Sequence, residues 1–397
     1  MSLELSRKAA NVKPSSTLAI TAKAKELRAN GVDVIGFGAG EPDFNTPENI
    51  CEAAVTAIRE GFTKYTPASG TMELRKAVSK KFADFNGLRY DADQIVISNG
   101  GKHSLTNIFQ AILNPGDEVI ILAPYWLSYP EIVKLMDGVP VYVYATKANG
   151  YKVSAKQIED AITPKTKALI LNTPSNPTGM IYSREELESI ADVAVKHDIY
   201  VVSDEMYEYL IYGDKKHVSI ASLNDEIYKR TITCSGLSKS YAMTGWRIGY
   251  TGSSKEIAKM MGSCQSHETS NPNSIAQKAA LEALTGSQEP MMEMIEEFNK
   301  RREYMFKRVN EMPLISALEP EGAFYLFVDF SEALDKTYKG EAMDIMDVTR
   351  ILLEDYHVAV VPCGDFGFPR HVRLSYAISM EMIEQGLNRI EEFVKGL

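Results

Sequence analysis

The 397-residue sequence predicts an α/β fold: a large domain on a mostly parallel, seven-stranded sheet, with a smaller α+β domain beside it. Three observations carry that expectation. Short apolar, β-branched runs recur at 95–97, 118–122, 139–144, 168–171, 199–202, 231–233 and 248–251, with helical segments between most of them. Strands that are apolar throughout and separated by helices belong to parallel sheets covered on both faces. After Pro313 the texture changes to a different interleaving of strands and helices. A chain of this length also exceeds what one hydrophobic core organises, so two domains are expected.

In chain order, residues 11–46 read as an arm, a helix from Leu18 to Ala29 stopped by Asn30-Gly31, and a strand Val34-Ile35-Gly36-Phe37. That strand ends in the turn residues Gly38-Ala39-Gly40-Glu41-Pro42-Asp43. Pro47 suits the opening of a helix that runs to Gly61, with Glu48 complementing the dipole in its first turn. Lys64 to Gly70 is a loop, and Thr71 to Asn86 is helical because Leu74, Ala77, Val78, Phe82 and Phe85 recur at helical spacing. Helices near 103–113, 128–136, 154–162 and 184–197 fall between the strands of the large sheet. Residues 270–312 are helical with a break at Thr285-Gly286-Ser287. Beyond them, strands at 324–329, 358–361 and 371–376 interleave with helices at 343–356 and 379–395. The domains expected are 1–46, an arm and part of the small domain; 47–286, the large domain; and 287–397, the small domain with its linking helix. The sequence shows no internal repeat and no low-complexity segment.

Composition narrows the function. A net charge of −10 argues against a nucleic-acid-binding surface, while leaving room for a local cationic pocket. The four cysteines, Cys51, Cys234, Cys264 and Cys363, are scattered without a CxxC pair. That pattern disfavours a zinc site or a disulfide framework and fits a reducing cytosol. No apolar run reaches the length of a membrane span.

Ligands of parallel α/β sheets gather at the carboxyl ends of the strands. Ser98 to Gly101, Ala123 to Trp126, Asn172 to Gly179, Asp204 to Tyr207 and Ser235 to Lys239 are therefore expected to converge. Two residues in the last region suggest chemistry. Lys239 sits in a loop of small and hydroxyl residues after a strand, where desolvation can make a lysine an amine nucleophile that forms Schiff bases. Arg247, in Gly245-Trp246-Arg247-Ile248-Gly249, offers a fork of donors that suits phosphate. A surface lysine and a salt-bridged arginine would account for the same two residues. Gly100-Gly101 before a helix would let backbone N–H groups meet an anion, or would simply make a tight turn. Asp204 ends a strand expected to be buried, so it either meets a cation or caps a following helix.

The segment Ser238-Lys239 through Gly249, the octet Asn172-Thr173-Pro174-Ser175-Asn176-Pro177-Thr178-Gly179, and Arg373-Leu374-Ser375-Tyr376-Ala377 resemble the class I/II, fold-type I aminotransferases. Those enzymes use pyridoxal 5′-phosphate (PLP). The resemblance spans residues 5–396 and is strongest to the bacterial and archaeal aspartate aminotransferase branch. It implies that Lys239 holds PLP and later moves a proton, that Asp204 pairs with the pyridine nitrogen, and that Tyr207 and Asn176 hydrogen-bond the ring O3′. It assigns the phosphate to Gly100, Gly101, Ser238 and Arg247, with Tyr65 reaching the phosphate of a neighbouring subunit. Trp126 stacks on the ring, Arg373 grips the substrate α-carboxylate beside Gly38, and Ser16 and Thr17 close over the substrate. Lys102 contacts the cofactor end of the site and the distal carboxylate, since no arginine lies between Arg247 and Arg301 to do so.

The implied protein is a cytoplasmic homodimer with shared active sites that acts on small amino acids and 2-oxo acids and binds neither nucleic acid nor membrane. Aspartate or glutamate is the implied donor, with 2-oxoglutarate or oxaloacetate as acceptor, and no metal is expected. Aminotransfer to prephenate, aromatic or other neutral substrates, or a PLP-dependent β-lyase on the same scaffold, is the alternative.

Overall fold

The computed structural model describes residues 5–13 and 16–397, with the side chains of 16–19 and 21 outside that description. The expected arm contacts of Ser16 and Thr17 therefore lie outside the described side chains. Seven strands form the main sheet in the order Ile95–Ser98, Gly249–Gly252, Thr231–Gly236, Tyr200–Asp204, Thr166–Asn172, Glu118–Ala123, Val139–Tyr144. All neighbours are parallel except Gly249–Gly252, which runs antiparallel to both of its own.

Successive side chains in a strand point to opposite faces, and both faces are covered. Ile170 and Val202 pack with Leu105, Ile108 and Phe109 of helix Gly101–Ile112. Leu169, Leu171 and Val201 pack on the other side with Leu187 and Ile190 of helix Arg184–Lys196. Val139–Tyr144 differs from the continuous burial its composition suggests. It is the edge strand, and Val139, Tyr142 and Tyr144 are exposed.

A second, antiparallel sheet has the order Val361–Pro362, His371–Ser375, Tyr325–Asp329, Ser316–Ala317. The early strand Ile35–Gly36 pairs in parallel with Val358–Ala359, so the amino-terminal segment is fastened to the carboxyl-terminal part of the chain. The expected strand 358–361 is thus two short strands serving two different sheets.

Three further differences have local causes. The strand expected at 231–233 continues to Gly236, because Ser235 and Gly236 stay paired with Tyr250 and Gly249. The helix expected over 71–86 is Met72–Lys81 followed by a widened π turn, Phe82–Asn86, which carries Phe85 out of the buried stripe and onto Tyr209. Helix Lys255–Glu268 was not anticipated: its buried face, Ile257, Ala258, Met261 and Gln265, has helical spacing, but its apolar part spans little more than one turn before it ends on a polar residue. The expected break near residue 286 separates helix Ser274–Thr285 from helix Glu289–Asn310. The latter buries Arg301 and Arg302 along with its apolar stripe, each paired with a carboxylate, Asp43 at 2.8 Å and Glu319 at 2.7 Å.

Candidate active site

The strand ends of the main sheet and one strand of the second sheet line a single cavity of about 310 Å³. Gly101, Lys102, Trp126, Asn176, Asp204, Tyr207, Ser238, Lys239, Arg247 and Arg373 all border it. These residues come from five separate segments that follow strands of the main sheet, among them the start of helix Gly101–Ile112 and the last residue of strand Tyr200–Asp204, and from the middle of strand His371–Ser375.

Lys239 follows strand Thr231–Gly236 in a turn and is half-buried. Its Nζ donates to the Gly40 carbonyl. Burial, and then the positive charges of Arg373 and Arg247, push its pKa down to about 8, against a smaller opposing pull from Glu41. Ser238 is buried beside it.

Asp204 is 5% exposed and ends strand Tyr200–Asp204. The residues after it form a turn, so it caps no helix. Its described hydrogen-bond donors are both neutral: the Tyr129 hydroxyl at 2.7 Å and the Met206 N–H at 3.2 Å. Burial raises its pKa to about 6, and those two hydrogen bonds oppose the rise. A carboxylate in this position is poised for a cation.

Arg373 is 2% exposed, so it is not the sheet-surface residue a mid-strand arginine ordinarily is. Nη1 donates to Asn176 Oδ1 at 3.0 Å and Nη2 to the Gly38 carbonyl at 3.5 Å, while Nε is buried without a partner. Its guanidinium lies 4.2 Å from the centroid of the Tyr325 ring. Asn176 is held in turn by Asn172, whose Oδ1 accepts the Asn176 N–H at 2.8 Å and whose Nδ2 donates to the Asp204 carbonyl at 2.9 Å. The Tyr207 hydroxyl is 3.5 Å from Asn176 Nδ2 and 3.1 Å from the Tyr325 hydroxyl.

At the other end of the cavity, Gly100 precedes helix Gly101–Ile112 with φ +90°, a conformation glycine adopts without strain. A Cβ there would run into the Arg247 guanidinium, and a Cβ on Gly249 would overlap the Gly100-Gly101 backbone. The arginine thus lies directly against a helix amino terminus, and together they form a cradle for an anion. Arg247 is exposed and donates to the Thr244 carbonyl at 2.9 Å. Lys102, in the first turn of that helix, holds its Nζ 5.0 Å from the Trp126 ring centroid. Burial and the nearby Arg247 lower its pKa.

Tyr65 stands apart. It is 90% exposed and does not border the cavity of its own chain. Among the cavity residues that the sequence reading did not single out are Tyr129 and Tyr325. Tyr129 could have been found from its place one helical turn after Trp126; Tyr325 carries no such local sign.

The buried carboxylate with only neutral hydrogen-bond donors among the described residues, the unsatisfied arginine edge and the anion cradle fit a phosphorylated pyridine aldehyde. The chain belongs to the family Aminotransferase class I and II, which it matches over residues 32–390. It is 50% identical to the aspartate aminotransferase of Bacillus subtilis over 394 residues, 99% of either chain. It is 48% identical to the aspartate/prephenate aminotransferase of Cereibacter sphaeroides, again over 99% of both. Among solved structures it superposes on the aspartate aminotransferase of Rhizobium meliloti with a TM-score of 0.96 at 41% identity, covering 100% of both chains. The aspartate aminotransferase of Thermus thermophilus, solved with maleate, gives 0.93 at 44% identity and the same coverage. The fold is accordingly that of the fold-type I aminotransferases.

Proposed function

We propose that the protein is a PLP-dependent aminotransferase that moves an amino group between aspartate or glutamate and 2-oxoglutarate or oxaloacetate by a ping-pong mechanism. The observation that carries this reading is one cavity holding a lysine shifted to about 8, a buried carboxylate with no cation hydrogen-bonded to it among the described residues, and a buried arginine with a free edge. Bound there, PLP would supply a carbonyl carbon that amines condense with and a ring that accepts electrons. Gly100, Gly101, Ser238 and Arg247 would hold the phosphate, Asp204 would pair with the ring nitrogen, and Asn176 and Tyr207 would hold the ring hydroxyl oxygen. Trp126, which borders the cavity, would stack on the ring. Arg373 takes the substrate α-carboxylate as a bidentate partner, next to the Gly38 carbonyl. Lys239, neutral in substantial fraction near pH 8, would be the amine to which the cofactor attaches and, once freed, the base that takes the proton from the substrate Cα.

Lys102 meets the distal carboxylate of the substrate. The maleate in the Thermus thermophilus relative is a dicarboxylate, which supports an acidic side chain as ligand. A second reading, activity on prephenate or aromatic substrates, is favoured by Lys102 lying over Trp126, a flexible point charge on an aromatic floor. The reading extends to a cytoplasmic homodimer in which the exposed Tyr65 completes the partner's site; no helix among the described residues is long and apolar enough to cross a membrane. It also divides the chain at 46 and 286, which leaves the main sheet in one domain and the second sheet in another. The test is a half-reaction: PLP-loaded protein is mixed with single amino acids, without an acceptor, and the cofactor absorbance is followed. Aspartate and glutamate should convert it fastest. Conversion by neutral amino acids alone would overturn the substrate assignment.

A further inference from the structure

Tyr129 has no part in the scheme above, yet it makes the shortest hydrogen bond to Asp204, 2.7 Å from hydroxyl to Oδ2. It is 2% exposed, in the first turn of helix Ser128–Leu135, and its backbone N–H donates to the Trp126 carbonyl at 3.0 Å. Its ring meets Trp126 edge-on, with centroids 5.4 Å apart. One turn of chain therefore presents both the indole that borders the cavity and the phenol that grips the buried carboxylate. Burial pushes the Tyr129 phenol well above its ordinary range, so it stays protonated and can only donate to a charged Asp204.

We propose that Tyr129 is a positioning residue that keeps Asp204 ionised and so keeps a proton on the pyridine nitrogen of a bound cofactor. The inference rests on the reading of Asp204 as the partner of that nitrogen. Burial favours the neutral carboxyl, and what opposes it within the chain is chiefly the Tyr129 hydroxyl, with the longer Met206 N–H second. A carboxylate that loses its best donor becomes more basic. The proton between the two groups then moves from the ring nitrogen to Asp204, with no change in total charge. A neutral ring is the poorer electron sink.

Tyr129→Phe removes one oxygen and keeps the packing against Trp126. The measurement is the 15N chemical shift of ring-labelled PLP in the wild-type, Tyr129→Phe and Asp204→Asn holoenzymes, with cofactor content determined on the same samples. Wild type should show a protonated pyridine, and Asp204→Asn an unprotonated one. Tyr129→Phe should retain full cofactor, move part of the way towards the unprotonated shift, and lose roughly tenfold in kcat, the worth of about one pKa unit, with KM for aspartate little changed. If Asp204→Asn moves the signal and Tyr129→Phe does not, the role given to Tyr129 is wrong. If neither moves it, the pairing of Asp204 with the ring nitrogen fails as well.

Discussion

Asp204 sits where its own charge is disfavoured, and that has a consequence without any cofactor. Its folded pKa, about 6, lies above the ordinary 3.8. Between those values the folded chain binds more protons than the unfolded one, so stability falls as pH rises through that window. Above it the apoprotein bears the whole cost, at most about 3 kcal/mol. Asp204→Asn should therefore raise the Tm of the apoprotein above about pH 6 and leave it nearly unchanged below about pH 4. The same shift at both pH values would mean the carboxylate is not the source of the cost. Lys102 gives a second test at this scale. Lys102→Ser should lower kcat/KM for aspartate by about 1.5–3 kcal/mol and leave alanine and phenylalanine alone, since they carry no distal charge. Equal losses for acidic and neutral donors would assign Lys102 to the cofactor or the helix surface. Ten of the residues singled out in the sequence border the cavity because each follows a strand of one sheet or, like Arg373, lies within a recognisable run. The pairing of Tyr129 with Asp204 was not legible because the two are 75 positions apart, although the place of Tyr129 one helical turn after Trp126 was a local sign.

A group of elements just behind the site is held by charge as well as by apolar packing. Lys81, at the end of helix Met72–Lys81, pairs with Glu208, and both are buried. Asn86 of the π turn donates to Glu205 at 3.0 Å and to Glu208 at 2.7 Å. His217 is 2.7 Å from Glu205, and Ser235 donates to Glu208 at 2.6 Å. The cluster thereby ties the Met72–Asn86 segment to the turn that carries Asp204 and Tyr207. It also contains the three-residue group Glu205, Glu208 and His217, whose oxygens and nitrogen could in principle surround a metal. The Lys81 ammonium already occupies that role as a cation. Lys81→Met would leave two buried carboxylates against one histidine and should destabilise the fold by about 3–5 kcal/mol. Calorimetry on Lys81→Met beside Lys80→Ala, whose pair with Asp84 is exposed, makes the comparison. Equal effects would show the buried pair to be unimportant. None of this cluster was read from the sequence, since the hydrophobic period of residues 71–86 says nothing about a lysine meeting a glutamate 127 positions on. Element types were legible where an apolar run was long, and boundaries moved where a polar side chain, as in Gln265 or Ser235, did the packing.

At the scale of the whole molecule, the two sheets meet across the cavity, and Tyr65 is a proposed cofactor contact that neither borders it nor adjoins a residue that does. If Tyr65 serves a partner subunit, Tyr65→Phe should raise the Kd for PLP by roughly tenfold, the worth of one hydrogen bond to a charged group. Subunit exchange with an excess of Lys239→Ala chains should restore tight binding at the remaining intact sites. A variant that loses affinity but is not rescued by exchange would place Tyr65 in its own subunit's site or leave it a surface residue. The claim on which all else depends is that Lys239 is the amine to which the cofactor attaches. Borohydride reduction of the PLP-loaded protein, followed by peptide mass mapping, measures it directly. A single pyridoxyl adduct, on Lys239, is expected, and its loss together with transamination in Lys239→Ala. An adduct on any other lysine, or full activity in Lys239→Ala, would contradict it.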